Sequence, residues 1–312
     1  MNQFSILYVG RILFTVLISL SFNVSCLVEA QDKQPSEIVA ADGTKLHYVV
    51  EGSGIPCIVV NGSHYRRVFS KELRRHLKLV FVDFRHSTEA EAAAKVDDIT
   101  LDTLLEEIDQ VRKALGFDRV AVMGHSLPSL IALEYARKYP EHTSYLILIG
   151  SPPYAITPKE QAAFWESDAS QARKLADKRN LERFTDEDVK KAPPGNAWKL
   201  LFVRNGAHYW YDASFDSSWM LEGIAANMNF MPHVAGFFKD FEVGKKTPRV
   251  TRPVFLASGR YDYLVPYTTW EGRKDSFPNL SYNLFEKSGH YPMFEEPALF
   301  DKKLIEWMKA NK

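Results

Sequence analysis

The chain has 312 residues, 46% of them hydrophobic, and its 39 lysines and arginines balance 39 aspartates and glutamates. That length and apolar content suit one large α/β domain with an insertion, or two domains, around a sizeable core. The even charge, with no basic stripe interleaved with aromatics, argues against a polyelectrolyte partner and against nucleic-acid binding.

Residues 1–11 carry a single charged side chain, Arg11, and residues 12–24 are mostly apolar. Val28-Glu29-Ala30 then offers small residues where a signal peptidase reads, so residues 1–30 are expected to be a signal peptide cleaved after Ala30. The apolar run is short for a membrane span. Export to a periplasm or the medium is therefore expected, with no span left after cleavage. A lipobox ending at Cys26 is the alternative, with Asn23 a poor match at its first position. Cleavage leaves Cys57 as the sole cysteine, in an apolar run where it reads as a small buried hydrophobe.

Residues 37–52 read as a hairpin turning at Asp42-Gly43. Residues 57–60 predict a core strand, 68–77 a helix with a basic face, and 79–83 another buried strand. Leu101, Leu104, Leu105, Ile108, Val111 and Leu115 at helical spacing predict an amphipathic helix over 100–115, ending at Gly116. Residues 120–123 and 145–149 are strands flanking a helix that begins near Ser129. From about 151 to 249 the rhythm of short strands stops. Helical stretches at 158–178, 186–191 and 219–227, many aromatics and Pro193-Pro194-Gly195 take over. A helical cap over 152–249 is expected, inserted into a core of residues 31–151 and 250–312. Residues 253–258 and 280–285 resume strands, and 297–309 predict a closing amphipathic helix. Such alternation means a mostly parallel sheet covered by helices, with ligands beyond the carboxyl ends of the strands.

Gly124-His125-Ser126-Leu127-Pro128 joins a strand to a helix with no room for a loop. The chain must bend sharply at Ser126, lifting its hydroxyl above the sheet, and Gly124 leaves space for that bend. The Leu127 N–H opens the helix and has no intrahelical partner, so it is a natural oxyanion donor. Pro128 stands where glycine is usual, but a first helical turn tolerates it. Asp262 and His290 also fall just after strands, in the order Ser, Asp, His. A serine hydroxyl needs an imidazole to take its proton, and the imidazole needs a buried carboxylate to fix its tautomer. Ser126, Asp262 and His290 are the candidate catalytic residues. The Ser63 N–H, beside Gly62 after the first core strand, is the candidate second oxyanion donor.

These residues resemble the α/β-hydrolase superfamily. The resemblance runs from about Glu37 to the C-terminus and is carried by the Ser126 unit, Gly259-Arg-Tyr-Asp-Tyr-Leu-Val-Pro266 and Ser288-Gly-His-Tyr-Pro292, with Glu296-Pro297 following. It implies the α/β-hydrolase fold with a helical cap and is most similar to proline iminopeptidase-like serine hydrolases. Those usually carry His-Gly-Gly-Pro-Gly where this chain has Asn61-Gly62-Ser63-His64-Tyr65, and Gly-Gly-Ser-Trp-Gly at the elbow. The expected function is an exported serine hydrolase cleaving an ester or amide bond of a small molecule or short peptide through an acyl-enzyme. A proline iminopeptidase is the alternative, and a non-catalytic ligand-binding protein the alternative of another class. Asn61, His64, Trp210, Trp219 and Glu222 are candidate substrate-binding residues; Glu222, with Asp216, is an acidic group that can hold a substrate ammonium. His64, His86, His142, His208 and His233 lack the spacing of a zinc site, and phosphate or dinucleotide motifs are absent, so no metal or cofactor is expected.

Overall fold

The computed structural model describes residues 36–85, 95–193, 196–224, 229–245 and 249–312. The expected leader, Cys26, His86, Pro194, Gly195 and residues 225–228 lie outside them. Among the described residues eight strands form one sheet, in the order β1-β2-β4-β3-β5-β6-β7-β8. The strands are β1 (Ser36–Val39), β2 (Lys45–Gly52), β3 (Ile55–Val60), β4 (Leu77–Val82), β5 (Val120–His125), β6 (Thr143–Ile149), β7 (Val254–Gly259) and β8 (Leu280–Phe285). The hairpin pairs Ser36 with Tyr48 and Val39 with Lys45, and β2 runs antiparallel to β4; every other pairing is parallel.

From β3 the chain steps outward to β4, then crosses back to β5 on the other side of β3. The connections reverse direction there, so the loops after β3 and β5 splay apart and open a crevice at the sheet's carboxyl edge. The strands alternate strictly between two cores. Ile58, Val80, Val122, Leu146 and Leu256 face α2 (Leu101–Ala114) and α3 (Pro128–Lys138), supplying Leu104, Ile108 and Leu130. Cys57, Leu79, Met123, Ile147 and Phe255 face the opposite way, against Phe300, Leu304 and Met308 of α11 (Pro297–Ala310). Cys57 is fully buried, and burial pushes its thiol pKa up, which keeps it protonated and inert.

Residues 68–77 are not one helix. A 3-10 helix over Ser63–Arg67 is followed by the short α1 (Leu73–His76), and Leu77 already pairs with Ile55 in the sheet. Tertiary bonds override helical propensity here. Arg74 is drawn to Glu51 at 2.9 Å, and the Ser70 hydroxyl accepts the Leu73 N–H at 2.9 Å. Between β6 and β7 come α4 (Pro158–Asp168), α5 (Gln171–Arg183), α6 (Asp186–Lys191), α7 (Ala197–Arg204), α8 (Gly206–Tyr209) and α9 (Phe230–Phe237). The stretch read as one helix from 158 to 178 breaks before Ser170, whose hydroxyl caps the Arg173 N–H at 3.2 Å. Where a helix is expected at 219–227 the described residues form only a 3-10 turn, Ser218–Leu221, and residues 225–227 lie outside them. No helix of the described residues is long and apolar enough to cross a membrane.

The strand-to-helix corner is the tightest junction. A Cβ on Gly124 lies 2.4 Å from the Ser129 Cα and 2.7 Å from the Pro128 carbonyl oxygen, both backbone atoms that cannot swing aside. Pro128 occupies the first turn of α3, where its missing N–H costs nothing. Gly124→Ala therefore forces β5 and α3 apart and destabilises by about 2 kcal/mol or more. Urea unfolding measures this; a midpoint equal to wild type contradicts the packing.

Candidate active site

Ser126 sits at the corner with φ +56, in the left-handed region that a non-glycine residue enters at a cost of about 1–2 kcal/mol. The bend is held by the Ser126 N–H to the Ile149 carbonyl at 2.8 Å and the Ser129 N–H to the Ser126 carbonyl at 2.9 Å. Leu127 is the N-cap of α3, so its N–H has no intrahelical acceptor.

Asp262 follows β7 and is fully buried. One carboxylate oxygen accepts the Leu264 and Val265 N–H groups at 3.0 and 2.8 Å; the other lies 2.6 Å from His290 Nδ1. That network assigns the proton to Nδ1 and leaves Nε2 as the basic nitrogen. The His290 ring lies against Gly150, where a Cβ is 2.9 Å from Nδ1. Gly150 directly follows Ile149, which holds the Ser126 N–H, so the imidazole lies next to the elbow.

His125 and Tyr65 escaped the sequence reading. The buried His125 ring has Nε2 2.7 Å from the His290 carbonyl oxygen and Nδ1 2.8 Å from the Tyr65 hydroxyl. A carbonyl only accepts, so Nε2 carries the hydrogen and, in the neutral ring, Tyr65 donates to Nδ1. One imidazole thus ties the loop after β3, the end of β5 and the loop after β8. The signal available was His125 itself, beside the serine; its partners lie 60 and 165 residues away in sequence.

The expected role of Ser63 needs correction. Its N–H donates to Asp83 Oδ1 at 2.8 Å, and its hydroxyl donates to Asp83 Oδ2. Burial pushes the Asp83 pKa up, and a desolvated carboxyl takes any donor in reach. Of the two expected oxyanion donors, Leu127 N–H alone keeps its open position.

The substrate-binding candidates scatter. Asn61 forms the turn after β3 with φ +55, and His64 lies in the 3-10 helix beyond it. Trp210 is fully buried, stacked 4.6 Å from Tyr291 and edge-on to Phe215, a packing residue and not a pocket wall. Trp219 is half-buried near Phe294. Glu222 is exposed, where solvation costs nothing, and Asp216 accepts the Ser218 N–H at 3.0 Å in its own turn. His142 pairs with Asp109, His208 stacks on Trp165, and His233 bonds the Ile99 carbonyl. Among the described residues no three metal-ligating side chains converge.

Glu295, at the end of α10 (Pro292–Glu295), accepts the Tyr211 N–H at 2.6 Å and the Gly289 N–H at 2.8 Å. Burial pushes its pKa up to about 8, the Asp262 charge adding to the rise.

Residues 59–297 match the family of the alpha/beta hydrolase fold, and the chain belongs to that family. It is a hydrolase. It is similar to the AB hydrolase superfamily protein YclE of Bacillus subtilis (strain 168), at 30% identity over 87% of this chain and 98% of that one. A proline iminopeptidase of Heyndrickxia coagulans is 25% identical over 79% of this chain and 88% of its own. Among solved structures, an alpha/beta fold family hydrolase from Bacillus anthracis str. Sterne superposes with a TM-score of 0.64 at 20% identity, covering 89% of this chain and 99% of that one.

Because the folded pKa of Glu295 lies above the ordinary 4.5, the folded state holds this proton more firmly than the unfolded chain. The stability it contributes is complete below the unfolded value and is lost as pH rises through about 8. Glu295→Gln has no proton to lose. The melting temperature of the variant relative to wild type is expected to rise across roughly pH 5 to 9. Parallel curves for the two proteins contradict the shift.

Proposed function

We propose that this chain is a serine hydrolase that cleaves an ester or amide bond of a small molecule or short peptide through an acyl-enzyme on Ser126. The observation that carries the reading is the 2.6 Å bond from His290 Nδ1 to a buried Asp262, beside a serine in left-handed backbone. The Ser126 hydroxyl attacks the carbonyl while His290 Nε2 takes its proton. The imidazolium that forms is stabilised by Asp262 and returns the proton to the leaving group. The Leu127 N–H supports the oxyanion. Water then repeats the sequence against the acyl-enzyme and releases the acid. Val28 and Ala30, small apolar residues at the positions a signal peptidase reads, support export after cleavage at Ala30.

The names of several relatives favour a second reading, an aminopeptidase acting on N-terminal proline. A substrate ammonium needs a carboxylate, and the exposed position of Glu222 and the engaged Asp216 favour the neutral ester or amide instead. Short-chain p-nitrophenyl esters are expected to turn over faster than prolyl-naphthylamide, and the reverse order supports the aminopeptidase. Ser126→Ala is expected to fold normally and lose at least about 10³-fold in kcat. Retained turnover in the folded variant rejects the nucleophile.

A further inference from the structure

We infer that Arg173, a side chain of the inserted helix α5, is a positioning residue for His290. The inference rests on the proposed role of His290, and it assigns to the insertion a part in holding the catalytic base.

Arg173 is buried. Among the described residues its guanidinium has no carboxylate in ion-pair range. It is spent on backbone: one terminal nitrogen donates to the carbonyls of Ala207 and Trp210 at 2.6 and 2.7 Å, the other to Tyr211 at 2.5 Å. Its plane also lies 5.3 Å from the rings of both Tyr261 and Tyr263, the neighbours of Asp262. Burying a cation with no carboxylate in ion-pair range is costly, and desolvation lowers its pKa even though the more distant Glu295 and Asp212 pull the other way. The gain is one fork that fixes three carbonyls within a five-residue segment at once, which a lysine ammonium cannot copy.

The chain so fixed, residues 207–211, touches both loops that supply the acid and the base. The His290 N–H donates to the Tyr209 carbonyl at 2.6 Å, and the Tyr263 N–H donates to the His208 carbonyl at 3.2 Å. Gly289 abuts the same segment so closely that a Cβ lies 2.1 Å from the Tyr209 carbonyl oxygen. Glu295 closes the frame by accepting from Tyr211 and Gly289 together. The backbone of His290 is thus set from the insertion side by Tyr209 and from the sheet side by His125. Loosening residues 207–211 frees one of those two anchors and lets the imidazole wander from the serine. Misplacement by about 1 Å costs on the order of 10²-fold in rate. This part of the insertion cannot lift as a lid without dismantling the base.

The test compares wild type, Arg173→Met and Arg173→Lys as full-length chains with a p-nitrophenyl ester, well below their melting temperatures. Expected are a fall in kcat of about 10- to 100-fold for Arg173→Met, KM within about threefold, and a smaller loss in Arg173→Lys. The downfield proton resonance of His290 Nδ1–H is expected to broaden or vanish in Arg173→Met. An unchanged kcat with that resonance intact overturns the inference, even if the melting temperature falls, because it leaves Arg173 a purely structural role. So does a rise in KM alone. Should Arg173→Met fail to fold, Arg173→Lys is read by the same criteria. The resonance reports on Arg173 even if no substrate is found, whereas the hydrolase reading fails separately, through wild-type inactivity or an active Ser126→Ala.

Discussion

The hydrogen bond between Asp262 and His290 is the interaction around which the other features of the site are arranged. It joins the loops that follow two neighbouring strands, β7 and β8, which backbone bonds from Arg260 to Phe285 and from Tyr261 to Ser288 already hold together. Asp262 arrives already engaged by two backbone N–H groups, so its free oxygen points in one direction. That oxygen sets the His290 tautomer. A base with its accepting nitrogen fixed is useful only if a nucleophile is fixed beside it. The proposed nucleophile is Ser126, at a corner whose strained backbone is held by the Ile149 carbonyl. Strain and burial are both unfavourable, and the two cores flanking the parallel sheet offset them.

The site is a junction of loops more than a surface feature of the sheet. His125 braces it from beneath, through Tyr65 and the His290 carbonyl. Residues 207–211 brace it from the insertion, and Glu295 links that segment to the base loop. Buried polar groups of this kind are costly unless every donor finds an acceptor, and here most do. Asp83 shows the same demand. It draws in the Ser63 N–H and thereby removes that group from the oxyanion position expected of it.

What was legible in the sequence followed from local pattern. The hairpin, the buried strands, α2, the elbow and the last strand, read at the bounds β8 adopts, each announce themselves by period, by apolar runs or by glycine at a corner. Asp262 and His290 are legible as candidates because they fall just after strands, and the structure brings those two together. Other readings failed where contact is remote. Residues 68–77 look helical by composition, yet Leu77 gains more as a buried strand residue paired with Ile55. Charge type alone singles out Glu222, and charge type does not say which acids are exposed. Trp210 stands out only as an aromatic, and aromatics pack more often than they line pockets. Arg173 and Glu295 bear no motif of their own. Their importance comes from carbonyls and N–H groups of chain far away in sequence, which no local pattern encodes.

The central claim is that Ser126 carries the acyl group during turnover. Its most direct measurement is mass spectrometry of the enzyme quenched in acid during turnover of a slowly deacylating ester. The account predicts one added acyl mass per chain, located by digestion on the peptide containing Ser126 and absent once substrate is exhausted. Turnover accompanied by no adduct, or by an adduct on another residue, contradicts it.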